Sequence, residues 1–209
     1  PFKPADIPAL SLETSMKFTS NYMSKGRTNT NDKPAVSGQL KAYYGDNFNI
    51  AVFGSSIDNN PASAIFEIIP AIEGNFGIPW HKARLQYVDV NYPNNSASNK
   101  RVAGLIYEIY YDNFTPYVKF TKDLNQKKLE YTELGLKYNF DSYFVSILFA
   151  DHQTIKASTS AASTLNGKNA EMSMGYKWDH YTFTISTNSF RQDNFSSGTT
   201  TKTNTWASI

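Results

Sequence analysis

Along much of this chain, hydrophobic residues occur at every second position, and the segments with that pattern are separated by connections of alternating length. The clearest segment is 10–23, where Met16 and Phe18 fall on one face and Glu13 and Lys17 fall on the other. A two-residue period is that of a β-strand with one apolar and one polar face. Because the pattern recurs about twelve times, it predicts an all-β fold.

The predicted strands follow from the alternation and from the turn residues between them. No linker or compositional break divides the chain, so we expect one domain over 10–209 after a short periplasmic N-terminal segment, 1–9. That first segment has no apolar stretch typical of a signal peptide, and we interpret it as a mature N-terminus left after signal removal. The strands are expected at 10–23, 36–44, 48–56, 64–73, 81–92, 100–111, 114–122, 129–140, 142–151, 169–178, 181–190 and 203–209.

The connections fall into two kinds that alternate along the chain. Short, turn-prone connections lie at 44–47, 112–113, 140–142 and 179–180, with a looser one at 74–80. The others are mostly longer and rich in Asn, Ser, Thr and Lys, and lie at 25–33, 57–63, 93–99, 123–128, 153–168 and 191–202. Transmembrane β-barrels have short periplasmic turns and longer outer loops. The alternation therefore predicts a transmembrane up-and-down antiparallel barrel of about twelve strands.

Aromatic residues cluster beside the predicted short turns. Barrels carry aromatic girdles where lipid meets the headgroups, whereas a simple strand preference would scatter aromatics along the strands. A soluble β-sandwich would also show alternating strands, but the alternating connections and the girdle favour the barrel. The girdle candidates are Tyr43, Tyr44, Phe48, Trp80, Tyr111, Phe114, Phe140, Tyr143, Trp178 and Tyr181.

Composition excludes several classes of function. No stretch approaches the roughly 20 apolar residues of a membrane helix, although 40 % of the 209 residues are hydrophobic. The absence of cysteine excludes disulfides and thiolate metal sites, and His81, His152 and His180 show no ligand spacing, so we expect no metal or cofactor. The net charge of +2 is interspersed and predicts no nucleic-acid binding.

Catalysis has one weak candidate. Asp151 and His152 precede a Ser-rich loop, but no Gly-x-Ser-x-Gly elbow is present, and serines are so frequent that one near a histidine carries little information. The chain is expected not to be an enzyme.

Residues 22–26 read Tyr-Met-Ser-Lys-Gly, and 33–35 read Lys-Pro-Ala, with Gly38 following. These residues resemble the N-terminal signature of the TorF-like porin family, whose members are outer-membrane proteins long described as of unknown function. In that family a Tyr-x-x-(Arg/Lys)-Gly step closes the first strand and a Lys/Gln-Pro-Ala step opens the second. The match continues loosely through Glu67, through 87–93 and to Glu108. The resemblance implies a Gram-negative outer-membrane barrel and covers roughly the first half of the chain.

The end of the chain departs from the pattern usual in outer-membrane barrels. Those barrels finish on an aromatic residue in an alternating last strand, whereas residues 206–209 read Trp-Ala-Ser-Ile. We expect either a few further residues or an atypical terminal signal.

Charged residues of both signs occupy the face opposite the apolar one. They are candidates for lining a pore, or for forming ion pairs that hold neighbouring strands in register, because an unpaired charge in a partly dry lumen is costly. Their near balance predicts weak selectivity. They are Glu13, Lys17, Lys41, Glu67, Arg84, Glu108, Lys119, Glu133, Lys137, Glu171 and Lys177.

The outer loops are basic and predict an outer mouth that either attracts anionic solutes or pairs with phosphates of outer-membrane lipid, including lipopolysaccharide. A homo-oligomer or a protein partner is also compatible with the sequence. The cations concerned are Lys25, Arg27, Lys33, Lys100, Arg101, Lys122, Lys127, Lys128, Lys156, Lys168, Arg191 and Lys202.

These observations predict a porin-like passive channel for small hydrophilic solutes in the bacterial outer membrane. The first alternative is a plugged barrel with a structural or assembly-partner role, since twelve strands lie between the filled eight-stranded barrels and the open sixteen-stranded ones. The second alternative is a soluble carbohydrate-binding β-sandwich.

Overall fold

The computed structural model describes residues 9–24, 27–58, 66–93, 99–125, 128–157, 162–194 and 198–209. In these ranges the chain forms a closed antiparallel barrel of twelve strands and a separate two-stranded sheet. The described ranges contain no helix that is long and apolar enough to cross a membrane. The barrel strands are β1 (Leu10–Thr19), β4 (Ala35–Tyr44), β5 (Phe48–Ser56), β6 (Phe66–Ile78), β7 (His81–Val90), β8 (Lys100–Ile109), β9 (Phe114–Asp123), β10 (Lys128–Phe140), β11 (Tyr143–Ala157), β12 (Ala162–Trp178), β13 (Tyr181–Asn194) and β14 (Gly198–Ser208), and the hairpin is β2 (Met23–Ser24) with β3 (Arg27–Thr28).

The predicted fold class is confirmed, and the β-sandwich alternative is wrong because each barrel strand pairs with its neighbours in a single closed sheet. Several predicted boundaries are also wrong. β1 ends at Thr19 instead of continuing to residue 23, and β6 continues through the segment 74–78 that we expected to be a loose connection. The expected loops 153–168 and 191–202 are largely strand, since β11 pairs with β12 as far as Ala157 and Ala162.

Tight turns join the strands at one end of the barrel, which we name the turn end. Asp112, Asp141 and Asp179 each begin such a turn with φ between 48° and 50°. Aspartate tolerates this left-handed region, and two-residue hairpin turns with positive φ match the twist of the flanking strands. The opposite end, which carries the longer connections, is named the loop end.

The two faces of the barrel differ in chemistry. Leu12, Met16, Leu40, Ile50 and Leu134 point outward, and each is at least half exposed. Ser37, Asn49, Glu108, Asn169 and Asn188 point inward and are buried. The barrel has its apolar surface outside and a polar interior, the reverse of a soluble domain.

An aromatic belt surrounds the turn end on the outer face. Neighbouring rings are in contact around part of the circumference: the Phe140 centroid lies 5.4 Å from that of Tyr143, which lies 4.9 Å from that of Tyr176. Nine of the ten girdle candidates are exposed on this face. Tyr43 is the exception, because its register with Asn49 and Ser11 directs it into the lumen.

The seam between β1 and β14 is short. Thr19 pairs with Ser208, and Phe18 exchanges backbone hydrogen bonds of 2.9 and 3.0 Å with Ile209. From Leu10 to Lys17, β1 pairs with β4 on one edge, and no strand among the described residues pairs with the other edge. This edge leaves most of β1 exposed on both faces.

Candidate lumen site

The register places all eleven predicted charged residues on the inner face of the barrel. Alternation explains this placement, because residues separated by an even number of positions on one strand point to the same face of the sheet. Sequence reasoning missed Glu73, Lys82 and Asp123, which lie on the same face. Glu73 is the last residue of the predicted strand 64–73, where the alternation that assigns a residue to a face was expected to stop.

Arg84 is the centre of an ion-pair cluster between β6 and β10. One guanidinium nitrogen lies 2.8 Å from the Glu108 carboxylate, and another lies 3.8 Å from that of Glu73. Lys137 on β10 lies 3.8 Å from the same Glu108 oxygen. Tyr110 donates a 2.9 Å hydrogen bond to the other oxygen of Glu108. This carboxylate is therefore compensated on both oxygens, as a buried charge requires.

Asparagine and glutamine complete the shell of Glu73. The Asn49 side chain donates to one carboxylate oxygen at 3.2 Å, and the Gln86 side chain donates to the other. The cluster thus joins residues of five strands, β5 to β8 and β10, through ion pairs and hydrogen bonds.

Tyrosine hydroxyls, rather than cations, satisfy Glu133 on β10. Tyr117 donates to one oxygen at 2.6 Å, and Tyr131 donates to the other. Gly135 makes the first bond geometrically feasible: it lies opposite Tyr117, and an added Cβ would fall 2.2 Å from the ring. The ring lies over the glycine and extends toward Glu133, two residues away. We name Glu73, Arg84, Glu108, Glu133 and Lys137 the charged wall.

Several lumen lysines lie over aromatic rings. The Nζ atom of Lys137 is 5.0 Å from the Tyr117 centroid, that of Lys119 is 5.9 Å from the Tyr131 centroid, and that of Lys177 is 5.6 Å from the Phe144 centroid. Such contacts stabilise a cation without consuming its hydrogen-bond donors. These donors can still bind a solute.

In the part of the lumen lined by β12 to β14, three amide side chains form a chain of hydrogen bonds. Asn204 on β14 donates to Asn188 on β13 at 3.2 Å, and Asn188 donates to Asn169 on β12 at 3.3 Å. One layer toward the turn end, the hydroxyls of Ser173 and Ser186 lie 2.7 Å apart. We name these five residues the amide wall. Adjacent to it, Glu171 accepts a 3.3 Å bond from Ser173.

The segment after β1 folds into the loop end of the lumen. The ring of Tyr22 lies 6.3 Å from that of Phe53, which is on the inner face of β5, and its hydroxyl lies near the Glu67 carboxylate on β6. Burial and the neighbouring carboxylate raise the pKa of Tyr22 above its ordinary value. Asn21 and Thr30 hold the segment together through a 3.2 Å side-chain bond, and both are buried. Tyr22 and the buried pair Asn21 and Thr30 therefore narrow the lumen at the loop end.

Two residues quoted in the family resemblance meet at this constriction. Tyr22 and Glu67 are 45 positions apart in the sequence, and their contact could not be predicted from their spacing. The sequence features that could have indicated this contact are an acid on the inner face of β6 and an aromatic residue near the end of the predicted strand 10–23.

Four of the cations expected at the outer mouth lie on the outer face of the barrel. Arg101, Lys122, Lys168 and Arg191 lie on strands and point to the outer face, so they do not surround the entrance. Lys100 lies on the inner face, where its charge acts on Glu67, and Lys33 pairs with Asp58 beside the entrance. Lys25 and Lys127 lie outside the described residues, as do the side chains of Arg27, Lys128, Lys156 and Lys202.

The described residues contain no group of three or more His, Asp or Glu side chains that could hold a metal ion. The His152 side chain of the candidate Asp151–His152 pair lies outside the described side chains, and Asp151 itself is exposed on the outer face.

Comparison with known proteins gives a likeness in fold. The chain is similar to OccAB4 of Acinetobacter baumannii, with a TM-score of 0.49 and 9 % identity over 98 % of this chain. It spans 62 % of the length of that protein. No family model matches the chain, and no curated protein matches it. The resemblance to the TorF-like porins stays a prediction.

Proposed function

We propose that this protein is a bacterial outer-membrane barrel that acts as a narrow passive channel for small hydrophilic solutes, with a modest preference for anions. The observation that carries the membrane location is the apolar outer face bordered by an aromatic belt at the turn end. Contiguous apolar surface of this kind is rare on soluble monomers. The shortest barrel strand has nine residues, which suffices to cross a membrane when tilted.

The anion preference follows from which lumen charges are accessible. Of the seven acids on the inner face among the described residues, Glu67, Glu108, Asp123 and Glu133 are buried, whereas Glu13, Glu73 and Glu171 are not. None of the described lumen-face lysines is buried, and the Lys137 side chain is 46 % exposed. A solute would therefore meet ammonium groups more often than carboxylates. The preference is modest because the buried acids still contribute to the field, which screening weakens as salt rises.

Reversal potentials in planar bilayers test the proposal. Lys119 on β9 lies in the lumen, whereas Lys122 on the same strand points outward, so K119Q and K122Q form a matched pair. We expect the wild-type protein to favour chloride over potassium at low salt, and K119Q to reduce the permeability ratio roughly twofold. K122Q should leave it unchanged. Clear cation selectivity, or equal effects of the two variants, would contradict the anion preference.

A plugged structural barrel is the second candidate, and the inward-folded segment with Tyr22 favours it. It would be supported by the absence of conductance from protein whose folding is confirmed by circular dichroism and by altered gel mobility on heating. In that case the lumen charges would serve to hold neighbouring strands in register.

A further inference from the structure

At the turn end, β6 extends further than its neighbour β5. The last pair between the two strands is Phe48 with Gly74, whereas β6 continues to Ile78 in pairing with β7. A cavity of about 310 Å³ lies beside this extension, and its volume corresponds to about ten water molecules, which is enough for a small organic solute. It is lined by residues 46–47, 75–79 and 81–82 and by Tyr110.

Two side chains of opposite charge line this cavity without pairing. Asp46 is exposed and Lys82 is half-buried, and no ion pair or side-chain hydrogen bond joins either of them to another residue in the described part of the chain. Glu108 stands opposite Lys82 in the register, but its two oxygens already contact Arg84 and Tyr110. The cavity therefore offers one anion and one cation that are each open to a bound solute.

The end of β6 adds hydrogen-bonding groups to the same cavity. The Asn75 N–H donates to the Asn47 carbonyl of the neighbouring turn at 2.6 Å. Because alternate residues of a strand direct their backbone groups to the same edge, Gly77 points its N–H and carbonyl to this side, beyond the end of β5. The Asn75 side chain is buried, and its amide oxygen has no hydrogen-bond partner among the described residues. A buried acceptor without a partner is costly, so a donor bound here would be favourable.

Apolar side chains form the outer wall of the cavity. Phe76 and Ile78 line it and are 58 % and 60 % exposed. The remaining titratable side chain of the lining is His81, whose Nδ1 lies 2.7 Å from the Tyr107 hydroxyl. A solute that matches all of these groups carries an ammonium, a carboxylate and an apolar part.

We infer that this cavity binds an apolar α-amino acid as a zwitterion, with its ammonium at Asp46 and its carboxylate at Lys82 and the Gly77 N–H. Both contacts are charge-assisted hydrogen bonds, which are stronger than neutral ones. The two side chains have no net charge together, so a simple anion or cation would satisfy only one of them. The inference names a solute for the mouth of the proposed channel, and it rests on that function for the arrival of the solute but not for its binding.

Isothermal titration calorimetry of the purified barrel in detergent micelles at neutral pH tests the site. The probes are L-leucine, 4-methylpentanoate, which lacks the ammonium, and isopentylamine, which lacks the carboxylate. We expect leucine to bind, and we expect each of the other two probes to bind about tenfold more weakly, because each loses one charge-assisted contact.

Two variants assign the two charges separately. K82Q should weaken leucine binding about tenfold and should no longer distinguish leucine from isopentylamine. D46N should weaken it to a similar extent and should no longer distinguish leucine from 4-methylpentanoate. The matched control is D141N/K122Q, which removes an acid from another turn and a base from the outer face. It should change the dissociation constant for leucine less than about twofold. Altered gel mobility on heating confirms that each variant is folded.

Three results would overturn the inference: no binding of leucine by the folded wild-type protein, equal affinities for the three probes, or an equal loss in the control variant. Conductance of the wild-type protein separates this inference from the proposed function. A barrel that binds leucine but does not conduct would contradict the channel and leave the site intact, and a barrel that conducts without binding leucine would do the opposite.

Discussion

The charged wall and the amide wall both provide partners for polar side chains inside the barrel, but they do so by different interactions. Both line the interior of one barrel, where polar side chains are packed against the sheet. In the charged wall, Arg84 connects two carboxylates and Tyr117 serves a third. In the amide wall, Asn188 donates to one neighbour and accepts from another, so each strand is joined to the next without a formal charge.

The difference predicts how much folding free energy each wall loses when one of its residues is replaced. A charge network is strong when complete, but the loss of one member leaves a buried ion uncompensated. An amide ladder contributes less per bond, and the loss of one member leaves neutral groups. Loss of Arg84 from the charged wall should therefore cost more than loss of Asn188 from the amide wall, and a charge introduced into the apolar belt on the outer face should cost most.

The largest effect is expected where a charge is moved from the inner to the outer face of β10. Leu136 is 40 % exposed on the outer face, and Lys137 follows it in the lumen. L136R should cost about 2–4 kcal/mol of folding free energy, because it places a charge against lipid. K137L should cost less than about 1 kcal/mol, since Glu108 keeps Arg84 and Tyr110. Urea titrations of folding into lipid vesicles measure both. The reverse order would mean that the two faces are exchanged.

The next effect tests the charged wall itself. Removing the guanidinium in R84L leaves Glu73 and Glu108 without their shared cation, and we expect a loss of about 2–3 kcal/mol. This value is below that for a fully buried pair because the Arg84 side chain is 24 % exposed. The same urea titration applies, and the double variant R84L/E108L should recover part of the loss. A loss for R84L no larger than that for N188A would contradict the expected difference between the two walls.

A smaller effect than that of R84L is expected in the amide wall. N188A removes two side-chain bonds of 3.2 and 3.3 Å and should cost about 1–2 kcal/mol. N188D keeps the size of the side chain but introduces a charge, and it should be at least as destabilising at neutral pH, because Asp cannot donate to Asn169. Should N188D be neutral or stabilising, the wall would tolerate charge and the contrast with Arg84 would disappear.

Much of the architecture could be predicted from the sequence for a local physical reason. Alternation fixes which face a residue occupies once its strand is known, so Glu108 and Leu136 were assigned to the correct faces without any contact information. Turn residues such as Asp112 and Asp141 fix the hairpins because few residues adopt positive φ. These features depend on neighbours only a few positions away.

The partners within each face could not be predicted, because they depend on the register between strands and on side-chain reach. The sequence does not reveal that Arg84 reaches both Glu73 and Glu108, that Gly135 makes room for Tyr117, or that Lys168 stands opposite Arg191. The extent of the hairpins β11–β12 and β13–β14 was also missed, since polar strands beyond the apolar belt resemble loops in composition.

The sequence by itself determined a barrel with an apolar exterior, a polar interior and a short-turn end, since a period of two and turn chemistry are properties of the local chain. Only the tertiary structure decided which inward charges are buried and which are accessible. Glu133 is satisfied by Tyr117 and Tyr131, while Lys119 and Lys137 remain accessible above aromatic rings. That asymmetry arises because closing the sheet brings strands together at distances and angles that no single strand encodes.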